Sequence, residues 1–147
     1  METKLMLVDI LTGLGISSPN QSQISFMRKW GQVEGSAAAW NPLNSTWDVL
    51  DGPNGSSSLK FNDHSVRNYS TRENGINATI RTLTTGRYVQ YGYDKIVSAI
   101  KAIKSDMDID SAMRAVNATP WGTNFKLPHT NYKKFRHFIW KGPIIKN

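Results

Sequence analysis

Glu34 stands where an apolar-periodic stretch ends, followed at once by glycine and a stiff turn, in the run Trp30-Gly31-Gln32-Val33-Glu34-Gly35-Ser36-Ala37-Ala38-Ala39-Trp40-Asn41-Pro42-Leu43-Asn44. A carboxyl group on the last turn of a helix beside aromatic rings is expected to have a raised pKa. Burial disfavours its ionised form, and the negative helix terminus disfavours it further. Such a glutamate can donate a proton at neutral pH, which is what cleavage of a glycosidic bond requires, because the leaving oxygen must be protonated as the bond breaks.

A second carboxylate decides the stereochemistry of that reaction. Retaining enzymes hold the pair ~5–5.5 Å apart and inverting ones ~6.5–9.5 Å apart, with room for water. Asp48 and Asp51 lie in the loop after Glu34 and are the candidates; sequence spacing does not fix their distance. Other chemistries lack their residues. His64, His129 and His137 form no HExxH arrangement, Gly-x-Ser-x-Gly is absent, and Gly52 to Lys60 is not followed by the Gly-Lys-Ser/Thr of a phosphate-binding loop. No metal site and no cofactor is expected.

The elements that must position Glu34 are mainly helical. Thr3 can cap a first helix with Leu7, Ile10, Leu11 and Leu14 on one face, ending at Gly15, and Ser17 to Asn20 forms a connector. A second helix runs from about Ser22 to Glu34, with Phe26, Trp30 and Val33 at i, i+4 and i+7 and Gly35 as its stop. Between Trp40 and Tyr69 the helical period vanishes and turn formers crowd in. Ser58-Leu59-Lys60-Phe61 and Val66-Arg67-Asn68-Tyr69 are candidate small strands of a β-flap or of an ordered loop lining a cleft.

Ser70-Thr71-Arg72-Glu73 reads as a capping box that restarts helix, with Ile76, Ile80 and Leu83 at helical spacing and Gly86 at the end. A further helix from about Tyr93 carries Ile96, Val97, Ile100 and Ile103, and a short one from Asp108 carries Ala112, Met113 and Val116. Past Pro120-Trp121-Gly122 the pattern is lost.

Composition bounds the partners. At 147 residues the chain suits one compact domain. It has no cysteine, so disulfides, Cys-based zinc sites and thiol nucleophiles are unavailable. The short apolar run near Met1 is broken by Asp9, which argues against a signal peptide, and no stretch approaches the ~20 apolar residues of a membrane span. The net charge is +7, and all of the excess lies in residues 111–147, which hold seven Lys/Arg and no acid. A one-signed segment of this kind is a contact surface for a polyanion such as nucleic acid, anionic lipid or an envelope phosphate polymer.

Six motifs in order carry a resemblance. Trp30-x-x-x-Glu34-Gly35, Trp40-Asn41-Pro42-Leu43-Asn44-Ser45-Thr46, Phe61-Asn62, Val66-x-Asn68-Tyr69, Glu73-x-Gly75-Ile76-x-Ala78-Thr79-x-x-Thr82-Leu83 and Pro120-Trp121-Gly122-Thr123 resemble a lysozyme-like family of peptidoglycan-cleaving proteins of bacteriophages and Gram-positive bacteria. The similarity covers roughly residues 20–123. Two departures are Ser36, where many relatives have a second glycine, and the tail after Thr123.

The resemblance implies a mainly α (α+β), lysozyme-like single domain with a loop or small β-flap lining a cleft for β-1,4-linked amino sugars, and Glu34 as general acid. It divides the chain into a catalytic domain, 1–123, and a basic, aromatic-rich segment, 124–147. Two roles stay open for Asn41, Asn44 and Thr46: turn residues satisfying their own backbone, or rim donors to a sugar N-acetyl group or attacking water. Asn68 joins that rim set. Trp40 and Tyr69 are partly buried aromatics or stacking platforms for sugar rings. Glu73 belongs to the capping box, and Trp121 with Pro120 is read as a packing plug.

The expected partners are peptidoglycan glycan strands, anionic wall polymers through the basic segment, and other virion proteins. The expected location is a virion, or the cell wall at lysis. Lysozyme-like transglycosylases use one Glu as acid and then base, so hydrolysis and transglycosylation both remain open. Two rival classes stand beside these: a catalytically silent structural or sugar-binding module of a virion, and a nucleic-acid-binding protein using its basic end.

Overall fold

The computed structural model describes residues 2–50 and 57–127, with side chains from Met6 onward. The protein is mainly α. Helices α1 (Glu2–Gly13) and α2 (Gln21–Glu34) precede a two-stranded flap, β1 (Leu59–Lys60) and β2 (Arg67–Asn68). Helices α3 (Arg72–Thr84), α4 (Tyr88–Tyr91) and α5 (Tyr93–Lys101) follow, then a 3₁₀ turn at Asp106–Asp108 and α6 (Ile109–Asn117).

Helix α2 is the central element, because every residue from Gln23 to Gly31 is buried. A helix buried all round belongs in the middle of a lobe. It packs against α1 and α6, while α3 packs on α1 and α5, and α5 on α6. Phe26 and Trp30 are fully buried among Leu7, Ile10, Ile96, Met113 and Val116. Val33, expected on the same face, is 39% exposed instead, since the last turn of α2 emerges from the lobe.

The start of α2 is better capped than the connector reading allowed. The Asn20 side chain accepts from Gln23 N at 2.8 Å and the Gln23 side chain accepts from Asn20 N at 2.9 Å, a reciprocal capping box. The same two side chains reach the end of α5 and the turn after it: Gln23 Nε2 donates to the Ile100 carbonyl and Asn20 Nδ2 to the Ile103 carbonyl. At the other end Gly35 adopts φ 55° and its N–H donates to Gly31 O at 3.0 Å, the left-handed stop that glycine makes without strain.

Helix α3 starts one residue later than its sequence suggests. Thr71, with extended backbone, is the cap, and its hydroxyl accepts from Asn74 N at 3.1 Å. Glu73 is therefore an exposed first-turn acid, favoured by the helix dipole, and Ser70 precedes the cap.

The flap pairs antiparallel, Leu59 with Asn68 and Lys60 with Arg67. So short a ribbon does not stand alone in water, and its neighbours hold it. Arg67 N donates to Ser45 O at 3.2 Å, Tyr69 N to Ala39 O at 2.9 Å, and Asn41 Nδ2 to Arg67 O at 2.8 Å. The flap is thus fixed to the turn that follows Glu34. Trp40, in that turn, has φ 51°, and its carbonyl lies against Gly75 so closely that a methyl there would overlap it.

The chain stays packed beyond Thr123. Phe125 is 3% exposed, its ring sits 5.9 Å from that of Phe26, and Asn117 clamps its backbone through Phe125 N→Oδ1 (2.7 Å) and Nδ2→Phe125 O (2.9 Å). The rest of the basic segment, 128–147, lies outside the described residues, as does Asp51. No helix among the described residues is long and apolar enough to cross a membrane.

Candidate active site

Glu34 is part-buried at the end of α2 and faces an open cavity of about 490 Å³. Burial pushes its carboxyl above the ordinary glutamate pKa, against the opposing effect of hydrogen bonds from Thr123 and Asn44. Thr123 Oγ1 donates to Oε2 at 2.6 Å, and Asn44 Nδ2 donates to Oε1 at 3.1 Å. Desolvation outweighs two donors, so the proton is retained to higher pH, while the same donors receive the charge once the proton leaves.

Each donor is itself positioned. The fully buried Trp30 donates from Nε1 to Thr123 Oγ1 at 3.0 Å, which fixes the hydroxyl with its proton toward Glu34. Asn44 has φ 59°, a left-handed conformation that asparagine tolerates better than most residues, and its Nδ2 also reaches the Glu34 carbonyl at 3.3 Å. The turn beneath it is closed by Asn41, whose Oδ1 accepts from Ser45 N at 2.7 Å and whose Nδ2 donates to Ser45 O at 2.8 Å. Ser45 then donates from Oγ to Thr79 Oγ1 at 3.1 Å, tying the turn to α3.

The cavity has a polar and an aromatic side. Asn44, Thr46 and Thr82 line it with the flap residues Asn62 and His64, and Tyr93 and Trp121 supply rings. Asn62 shapes the flap turn, because its Oδ1 accepts from the backbone N–H groups of His64 and Val66. Trp121 is edge-on to Trp30 (5.2 Å) and to Tyr93 (5.1 Å), and donates from Nε1 to Leu43 O at 2.8 Å. It is a packing plug, as expected, and also a wall of the cavity. Burial pushes the Tyr93 phenol above its usual range, so it stays a neutral hydrogen-bonding group.

The expected site residues divide. Asn44 and Thr46 reach the cavity with Glu34. Asn41 and Tyr69 are fully buried and have no surface to offer a ligand: Asn41 closes the turn, and Tyr69 donates from its hydroxyl to Trp47 O at 2.7 Å. Asn68 accepts from Ala39 N at 2.8 Å and Trp40 packs against the core, and neither lines this cavity. These four position the turn and the flap.

Asp48 also departs from its expected role. Hydrogen bonds from Ser57 and Ser58, with the Arg67 charge, hold its carboxyl below the usual aspartate range. Its Oδ1 accepts from Ser58 N at 2.8 Å and Ser58 Oγ at 2.9 Å. It is the clasp of the flap and does not line the cavity. Among the described residues Glu34 is the one carboxylate that does, and no group of three His, Asp or Glu side chains there could hold a metal ion.

Sequence reasoning missed Thr123, Tyr93, Asn62 and His64 as site residues. Thr123 closes the Pro-Trp-Gly-Thr motif and Asn62 the Phe-Asn motif, so ordered motifs were the available signal; Tyr93 was hidden as an apolar helix residue. No protein-family model, curated protein or solved structure matches this chain.

Proposed function

We propose that this protein is a peptidoglycan-cleaving glycosidase of lysozyme-like type, phage-encoded and acting at the bacterial cell wall from a virion or after release at lysis. The observation that carries this reading is the Glu34 carboxyl, its pKa raised by burial, held by Thr123 and Asn44 at a cavity with polar and aromatic walls. Glu34 gives its proton to the glycosidic oxygen as the C1–O bond breaks, and the two donors stabilise the carboxylate that forms. Tyr93 and Trp121 offer rings for packing against sugar faces, and Asn62 and Thr46 offer hydrogen bonds to hydroxyl and N-acetyl groups.

With Asp48 committed to the flap, and Glu34 the one carboxylate lining the cavity among the described residues, the reading taken is a one-carboxylate route. In that route the Glu34 carboxylate then takes the proton of the muramoyl 6-hydroxyl as its oxygen bonds to C1, closing an anhydro ring with no net uptake of water. Mass spectrometry of muropeptides released from purified walls tests this: anhydro ends from the wild type and none from Glu34→Gln are expected. Reducing ends would move the reading to hydrolysis, and no product from the wild type would leave a silent sugar-binding module.

A further inference from the structure

A second cavity, of about 180 Å³, opens beside the Glu34 cleft, and the two share Thr46, Thr82 and Tyr93 as common walls. The two cavities are therefore immediate neighbours. The second cavity is also lined by Trp47 and, where α3 gives way to α4, by Arg87, Tyr88 and Tyr91. Tyr91 is 41% exposed, and its ring lies 5.4 Å from that of Tyr93, so the aromatic wall continues from one cavity into the next.

Arg87 gives this second cavity its chemistry. Its guanidinium is exposed and makes no hydrogen bond or ion pair with any described residue. Arg67, in the flap, is instead committed to the Ser58 carbonyl at 2.8 Å. An exposed guanidinium with no described partner, lining a cavity with Tyr88, Tyr91 and Tyr93, combines a planar fork for a carboxylate with rings that can stack on a sugar.

Resting on the glycan reading above, we propose that this second cavity is a subsite for the neighbouring sugar of the chain and that Arg87 binds a carboxylate carried by that sugar. The ligand class is an acidic amino sugar, bearing its acid on a lactyl ether or on an attached peptide, rather than a neutral N-acetylglucosamine unit. Arg87 is then the residue that sets the register of the strand, because it places an acidic sugar in one groove position and so fixes which bond meets Glu34.

Calorimetric titration in the Glu34→Gln background, which prevents turnover, tests the assignment with three oligosaccharides of equal length. These are a neutral chito-oligosaccharide, a peptide-free muro-oligosaccharide with free lactyl carboxylates, and the same glycan carrying stem peptides. The acidic ligands are expected to bind about three- to tenfold more tightly than the neutral one, and whichever acidic ligand shows the larger gain locates the carboxylate on the ether or on the peptide. Arg87→Gln should abolish the preference and leave neutral binding unchanged. Arg87→Lys should keep part of it, and Tyr91→Ala should weaken all three ligands alike. Equal affinity for all three ligands, or an Arg87→Gln loss that is the same for all three, would overturn the subsite alone. Failure of every glycan to bind would overturn it together with the functional reading.

Discussion

The hydroxyl of Thr123 donates to Oε2 of Glu34 at 2.6 Å across 89 residues of sequence, while accepting from Trp30 Nε1 at 3.0 Å. One threonine therefore couples the buried centre of α2 to the carboxyl at its end. The relay makes the protonation of Glu34 depend on a residue beyond α6.

Glu34→Gln tests the acid itself. A glutamine fits the same partners, with its oxygen toward Asn44 and its amide toward Thr123, so the fold is kept and turnover should fall by a factor on the order of 10² or more. Stability should move the other way. Burial raises the folded-state pKa of Glu34, so its contribution to stability is fully present below the unfolded pKa and is lost as pH rises through the folded one. The Tm of the glutamine variant should match wild type in acid and exceed it above that window. A variant less stable than wild type at every pH would contradict a desolvated carboxyl.

Thr123→Val should act on both ends of the relay. The Trp30 indole N–H loses its buried acceptor, at a cost of about 1–3 kcal/mol, and Glu34 loses a donor that favours its ionised form. Its pKa should rise further, so the alkaline limb of the activity profile should shift to higher pH, with Thr123→Ser restoring both properties. A pH–activity profile and a thermal melt of the two variants are the measurements.

Asn44→Gly and Asn44→Ala should separate backbone from side chain. Both remove the donor to Oε1 and should alter the pH profile equally. Only alanine is strained at φ 59°, so it should cost roughly 1 kcal/mol more in stability than glycine. Equal melting of the two would show that the turn relaxes.

Gly75→Ala should damage the site from outside it. A methyl there meets the Trp40 carbonyl, and relieving that overlap moves either α3 or the turn that carries Asn44, at about 1–3 kcal/mol. Activity and Tm should fall together, whereas Asn77→Ala, at an exposed position of the same helix, should change neither.

Two truncations should dissect the C-terminal quarter. Ending the chain after Thr123 removes Phe125 from the core and should lower stability by about 3–5 kcal/mol, as loss of a buried phenylalanine does. Ending it after Leu127 keeps that anchor but deletes Lys133, Lys134, Arg136, Lys141 and Lys146. Binding to whole walls should then weaken at low salt and converge with wild type at high salt, where screening removes the charge contribution. Salt-dependent retention on DNA but not on walls would favour the nucleic-acid reading.

Most of the helical framework was legible in the sequence. Leu7, Ile10 and Leu11, Phe26 and Trp30, and Ile96 and Ile100 mark their buried faces at helical spacing. Gly35 stops α2 because few other residues adopt its φ without strain. Both flap strands were marked as well, by short runs between turn formers. These are local properties, set within a few residues by periodicity and backbone sterics.

The capping of α3 was misplaced by one residue, because Ser70 and Thr71 both suit a cap and only the path of the incoming chain chooses between them. Less legible are the side chains whose partners are far away. Asn41, Asn68, Tyr69 and Asp48 look like cleft residues by type and by position in the loop, yet tertiary packing turns each toward backbone that needs a partner. Thr123 and Tyr93, unremarkable by type, join the site because the fold brings the segment after α6 onto Glu34 and places Tyr93 in the cavity wall. Sequence alone marked Glu34 as the residue to watch, since a helix end, a glycine stop and nearby aromatics are written locally. Its environment was decided only by the fold, because desolvation and hydrogen bonding depend on which distant groups packing brings within 3 Å.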